Sequence, residues 1–225
     1  MSDEIFRTEL FEQFARLGQA LSSRPRVETI YILSQGEKTV EQVARAARIS
    51  VANASHHLQR LKDVRMVASR KQGQHVFYRL ASPTVETFWQ CLQAIGEDRL
   101  LEVRDLIDTY VLHRDELEAV TREELLKKIA RNEVVVIDVR PEDEYHAGHL
   151  PQAISIPPEA LEARINELPK DKEIVAYCRG PYCLISYDAV AVLRMRGFKA
   201  FRLEDGFPEW KAGNLPFETG DQPAQ

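Results

Sequence analysis

Glu173-Ile174-Val175-Ala176-Tyr177-Cys178-Arg179-Gly180-Pro181-Tyr182-Cys183-Leu184-Ile185 changes pattern twice within thirteen residues. Ile174–Tyr177 is a short apolar run of the kind that forms a buried parallel strand. Gly180 and Pro181 stop it. From Leu184 apolar positions recur at helical spacing through Ala189, Val192, Leu193 and Met195. Cys178 therefore ends a strand, and a tight loop leads into the N-terminus of a helix. Backbone N–H groups and the helix dipole favour negative charge at such a place. A cysteine held there has its thiolate stabilised, and Arg179 adds to the effect. The plainer alternative is a buried core cysteine. N–H groups of the six-residue loop Cys178–Cys183 could ring a thiolate, a persulfide or an oxyanion. Two readings of Cys183 stay open. It is either a second nucleophile that attacks a persulfide or sulfenic acid on Cys178, or a thiol packed under the loop.

Strands and helices alternate from Val134 to Phe201, the pattern of an α/β domain with a parallel sheet. Within it the loop resembles the active-site loop of the rhodanese (sulfurtransferase) family. Asp138-Val139-Arg140 with Glu144-Tyr145, Gly148-His149-Leu150, Ala153 and Ile156-Pro157 resembles that family's first signature. Gly206, Trp210, Gly213 and Pro216 resemble its C-terminal one. Three signatures in order make a specific match. The resemblance implies an α/β rhodanese-like domain with a central parallel sheet over residues 121–220. It implies a catalytic loop of Cys178, Arg179, Gly180, Pro181, Tyr182 and Cys183. Cys178 would accept sulfur as a persulfide from a small donor such as thiosulfate, then pass it to a thiol or cyanide. Asp138, Arg140 and His149 would be structural signature residues. Many sulfurtransferases carry a small hydroxyl residue where Cys183 stands. Cysteine-dependent phosphatases use a related loop with an Arg six residues after the Cys; here that position is Leu184, so the phosphate clamp is missing.

The N-terminal half reads differently. Phe6, Leu10, Phe14, Leu17 and Leu21 recur at helical spacing, so residues 5–22 are predicted as an amphipathic helix. A second helix starts near Pro25 and stops before Gly36. Thr39 and Gln42 form a capping box for a third helix, Val40–Arg48. Ser50 caps a fourth, from Val51 to about Lys62, with Leu58 and Leu61 inward and Ala54 and His57 on outer faces. Two short helices joined at Ile49-Ser50 predict a helix-turn-helix. Met66–Arg70 and His75–Leu80 follow as strands, joined by a turn at Lys71–Gln74. A basic hairpin after a helix-turn-helix reads as a wing touching phosphates.

Residues 39–80 resemble the winged-helix repressors of the ArsR/SmtB family. Ile49-Ser50, Ser55-His56-His57-Leu58, Leu61, Met66-Val67, Gly73 and Val76–Leu80 carry the likeness. Ser50, Asn53, Ser55, His56, Gln59, Arg60, Arg70, Lys71 and Gln74 are the candidate DNA contacts. An unbroken helix is expected from Pro83 to about Val111. Its apolar face is too broad for one small domain to cover, and the first helix is amphipathic. The resemblance implies that they pair across a two-fold axis, giving a homodimer on an inverted-repeat operator in double-stranded DNA. The fold expected is an α+β winged helix-turn-helix domain over residues 1–112, a linker at 113–120, then the rhodanese-like domain.

Composition agrees with these classes. The chain has 225 residues and net charge −5, with 29% charged and 44% hydrophobic residues, an ordinary globular balance. From Arg45 to Arg79 stand eight Lys/Arg against one acid, Asp63. A basic island in an acidic chain suggests a polyanion partner there, and a solvated face is the bland alternative. No apolar run is long enough to span a membrane, and the N-terminus is acidic, so the cytoplasm is expected. Cys91, Cys178 and Cys183 do not make a disulfide framework, and Cys91 is expected in a core. No metal site or cofactor is expected. The third helix lacks paired cysteines, His113 stands alone, and the rhodanese signature accounts for His149. The expectation is a repressor whose Cys178 senses or processes reactive sulfur or oxidants and alters the spacing of the DNA-binding domains. The alternative is an active sulfurtransferase tethered to DNA.

Overall fold

The computed structural model describes residues 3–111 and 119–220. Packing divides the chain into two compact units, Met1–Gln93 and Ala94–Gln225. The first opens with α1 (Asp3–Leu21), α2 (Arg24–Ser34), β1 (Lys38–Thr39), α3 (Val40–Ala47) and α4 (Val51–Asp63). It continues with β2 (Val67–Gln72), β3 (His75–Leu80) and the start of α5 (Pro83–Arg99). The Thr39 hydroxyl accepts from the Gln42 N–H at 3.3 Å while Gln42 Oε1 accepts from the Thr39 N–H at 2.7 Å, the reciprocal cap expected. Ser50 Oγ accepts from the Asn53 N–H at 3.2 Å. Between these helices Arg48 turns the chain with a left-handed backbone.

The antiparallel sheet has the order β1-β3-β2. Gln72 pairs with His75, so the wing loop is only Gly73-Gln74, tighter than the expected Lys71–Gln74. Gly73 at φ +60° supplies the first position of a two-residue hairpin, whose twist matches the strands. Ala54, Leu58 and Leu61 all enter the core with Ile30, Val43, Tyr78 and Leu80. Ala54, expected on an outer face, is buried because it lies four residues before Leu58.

The long helix breaks. Leu100 is extended (φ −103°, ψ 110°) between α5 and α6 (Leu101–Tyr110). Arg104 explains the stop: its guanidinium donates to the carbonyls of Glu97, at 2.6 Å, and Asp98, satisfying the end of α5. The division between units falls within α5, earlier than the boundary read at residue 112. Residues 113–118 of the expected linker, with His113, lie outside the described residues, as do 221–225. Its last two residues are not linker: Ala119–Val120 form β4, drawn into the sheet by pairing with Arg202 and Leu203.

The second unit continues with α7 (Arg122–Ala130), β5 (Val134–Asp138), α8 (Glu142–Ala147), β6 (Ile154–Ser155) and α9 (Pro158–Arg164). Then come β7 (Glu173–Tyr177), α10 (Leu184–Met195), β8 (Ala200–Leu203) and α11 (Phe207–Ala212). Thr121 and Glu124 cap α7 reciprocally. The sheet order is β4-β8-β7-β5-β6, parallel throughout. Alternation splits the strands between two apolar layers. Ile137, Ile174 and Ala176 pack with Leu161, Val190 and Leu193. Val136, Val175 and Tyr177 pack with Leu125, Phe207 and Trp210. Because the strands are parallel, the ends of β5, β7 and β8 gather at one edge of the sheet, where ligand sites of such folds form.

Candidate functional site

Cys178 leaves the end of β7 and is 2% exposed, and Cys183 is the buried N-cap residue of α10. A disulfide joins them, their Cα atoms 6.2 Å apart. That separation is ordinary for a bridge. The loop is therefore in its bridged state, a pairing that the sequence left open. Pro181 and Tyr182 are half-buried between the two sulfurs' residues. The Cys183 N–H donates to the Gly180 carbonyl at 3.1 Å, so one N–H of the expected ring is already used.

Arg179 has a partner outside the loop. Its Nε donates to Glu144 at 3.1 and 2.9 Å and its Nη2 at 2.7 Å. Glu144 is buried in α8, so this fork ties the loop to that helix and matches the guanidinium's charge there. Gly180 takes φ +146°, a conformation that side chains disfavour. A Cβ on Gly206 would lie 2.1 Å from the Gly180 nitrogen and 2.5 Å from the Arg179 carbonyl carbon. Only glycine lets the start of α11 press on the loop. The Phe207 N–H then donates to the Cys178 carbonyl at 3.1 Å. Glu209 accepts from the Gly206 N–H at 3.0 Å and faces Gly180, and burial pushes its carboxyl pKa up. The sequence reading missed Glu209. Its signal was a Glu three residues after Gly206 with Pro208 between, a helix-start pattern.

The signature residues underlie this loop. Asp138, Arg140 and His149 are fully buried. Asp138 accepts from the Arg140 backbone N–H at 2.9 Å, from Nε at 3.0 Å and from Nη2 at 2.6 Å, and also from the Tyr177 hydroxyl. Arg140 Nη2 also donates to the Gly148 carbonyl at 2.6 Å. Burial alone would lower the Arg140 pKa, but Asp138 more than reverses it. Burial and the Asp138 charge push the Tyr177 hydroxyl well above its usual range. His149 stacks on Tyr145 at 3.7 Å between centroids, with Nδ1 2.9 Å from the Tyr145 carbonyl oxygen. These residues fasten the end of β7 to β5 and α8, just before Cys178.

All nine candidate DNA contacts are exposed. Asn53, His56, Gln59 and Arg60 lie along the side of α4 away from Ala54, Leu58 and Leu61. The Ser50 hydroxyl serves as the helix cap, and Ser55 lies on the flank. Lys71 and Gln74 stand on the wing. Arg70 is engaged: it forks onto Glu37, donates to Gln72, and lies 4.7 Å from the Phe77 ring centroid. Glu37, remote in sequence, carried no signal of this.

Two faces lack cover. In α1 only Ala20 is buried, while Phe6, Phe11 and Phe14 are at least half exposed. Cys91 is exposed on α5, not in a core, because Val85 is the buried residue of that helix. Among the described residues no group of three or more His, Cys, Asp or Glu is arranged to hold a metal ion, and no helix is long and apolar enough to cross a membrane.

Residues 121–213 match the rhodanese-like domain family, and residues 24–69 match the arsR family of bacterial regulatory proteins. An HTH-type transcriptional regulator of Mycobacterium tuberculosis is 40% identical over 214 residues, covering 95% of this chain and 94% of that protein. The chain belongs to the arsR family of regulators and carries a rhodanese domain. The rhodanese part of this arsR-family regulator is similar to a sulfurtransferase of Allochromatium vinosum, 33% identical over 96 residues, covering 42% of this chain and 88% of that protein. Its N-terminal part is similar to the homodimeric winged helix-turn-helix DNA-binding domain of a possible ArsR-family regulator of Mycobacterium bovis. That likeness has 32% identity and a TM-score of 0.42, over 45% of this chain and 93% of the other.

Proposed function

We propose that this regulator is a cytoplasmic homodimeric repressor that binds an inverted-repeat operator, and that Cys178 reads a reactive sulfur or oxidant species for it. The observation that carries the reading is the Cys178–Cys183 bridge in a strand-end loop, in a chain whose other half bears an exposed polar stripe on α4. Asn53, His56, Gln59 and Arg60 are suited to base edges and phosphates, and Lys71 to a phosphate. The bare apolar side chains of α1, with Phe88 and Ile95 of α5, support pairing with a second copy. In this reading the DNA-binding part covers residues 1–112 and the rhodanese part 121–220, with Ala119–Val120 (β4) joined to its sheet. Titration against the protein's own upstream DNA tests the DNA half. Arg60→Ala and Lys71→Ala are expected to weaken binding and each to lower the salt slope by about 0.9. Variants that bind as the parent does would remove α4 and the wing as the DNA face.

A second reading is a working sulfurtransferase tethered to DNA, favoured by the likeness to the Allochromatium sulfurtransferase. Turnover from thiosulfate to cyanide that operator DNA leaves unchanged would support it.

A further inference from the structure

We propose that Cys183 is the resolving nucleophile for sulfur taken up at Cys178, so that the loop discharges sulfide and closes on itself. The proposal rests on the reading of Cys178 as the sulfur acceptor.

Reach is the first argument. Cys178 and Cys183 are close enough to bond, so no other thiol needs to approach. An attack within one loop replaces a bimolecular step and gains accordingly. Enclosure is the second. Both cysteines are buried, Gly206 presses backbone to backbone on Arg179 and Gly180, and Arg179 is held by Glu144. An outside acceptor meets this crowded edge, whereas Cys183 is already inside. Activation is the third. Cys183 occupies the N-cap of the 12-residue α10, where the helix dipole favours a thiolate.

The chemistry balances in two steps. The Cys178 thiolate attacks a disulfane, HS–SH: a Cys178–sulfur bond forms, the sulfur–sulfur bond of the donor breaks, and HS⁻ leaves. The Cys183 thiolate then attacks the Cys178 sulfur of the persulfide. The Cys178–Cys183 bond forms, and the outer sulfur leaves with the electron pair as a second HS⁻. The two cysteine sulfurs are oxidised by two electrons in all, and the sulfane sulfur is reduced to sulfide. An external dithiol, itself oxidised to a disulfide, returns the loop to its reduced state. The bridge in the structure is the same bond that the second step would form.

Fully reduced full-length protein, mixed with equimolar disulfane and followed by intact mass and released sulfide, tests this. The parent is expected to pass quickly to the disulfide mass and to release two sulfides per protein. Cys183→Ser is expected to stop with one added sulfur on Cys178, its persulfide lasting about tenfold longer or more. Cys183→Ala, which places no new hydroxyl in the loop, should do the same. Circular dichroism matching the parent qualifies each variant. A parent that keeps the added sulfur while Cys183 remains open to alkylation would overturn the proposal but spare Cys178 as acceptor. A parent that stays at the reduced mass and releases no sulfide, or Cys178→Ser that releases sulfide as the parent does, would overturn both. Cys91→Ser as the background removes the remaining thiol from the count.

Discussion

Asp138→Asn strikes the buried cluster that holds the end of β7. Asp138 accepts five hydrogen bonds, four from Arg140, whose Nε is shared between the two oxygens, and one from Tyr177. An asparagine there offers one oxygen and turns an NH2 toward donors, so at least two of those bonds are lost. Hydrogen bonds to a charged group are each worth about 1.5–3 kcal/mol, so two make about 3–6 kcal/mol. Stripping the partner from a buried ion pair independently costs about 3–5 kcal/mol, because the remaining charge is uncompensated. The two routes agree. A domain of this size holds only about 5–15 kcal/mol, and each kcal/mol moves its melting point by about 4–8 °C. The rhodanese unit should therefore melt at least about 12 °C lower. Urea unfolding of the full chain in a Trp89→Phe background, followed by fluorescence of the buried Trp210, reads the loss in this unit. Tyr177→Phe deletes one hydroxyl and leaves the ion pair, so it should cost only about 1–3 kcal/mol. A loss below about 1 kcal/mol in Asp138→Asn, or a larger loss in Tyr177→Phe, would refute the assignment of the cluster's strength to the Asp138 charge.

Two other carboxylates give further outcomes. Glu37→Gln frees Arg70 of its carboxylate, so DNA affinity should rise and the salt dependence should steepen by about 0.9 in slope; an unchanged slope would mean that Arg70 does not face phosphate. Glu209 has a folded pKa raised above the ordinary 4.5 by burial, so the folded state holds its proton more tightly than the unfolded state. Its contribution is present below the ordinary value and lost as pH rises through the raised one, and Glu209→Gln should remove that decline. Urea midpoints of parent and variant across that range that keep a constant difference would contradict it.

Local chemistry was legible in the sequence and remote chemistry was not. The Thr39–Gln42 box forms as read because the cap involves residues three apart. The strand before Cys178 and the helix from Leu184 follow from the change of hydrophobic period at Gly180-Pro181. The stop at Leu100 was hidden because apolar spacing continues through it, and the stop depends on Arg104 reaching back to two carbonyls. Likewise Arg179 was read from its neighbour Cys178, while its partner Glu144 stands 35 residues away. Two residues of β1 carry no period to read. Loop length alone also left the reach from Cys178 to Cys183 open, since it depends on how Gly180 turns.

The central claim is that chemistry at Cys178 governs DNA binding. Its most direct measurement is an affinity titration on the protein's own upstream region, reduced and then polysulfide-treated, in parent and Cys178→Ser protein. The account predicts that treatment weakens binding in the parent by about tenfold, a coupling of about 1.4 kcal/mol, and leaves Cys178→Ser unchanged. Equal affinity before and after treatment in the parent, or an equal loss in both proteins, would contradict it.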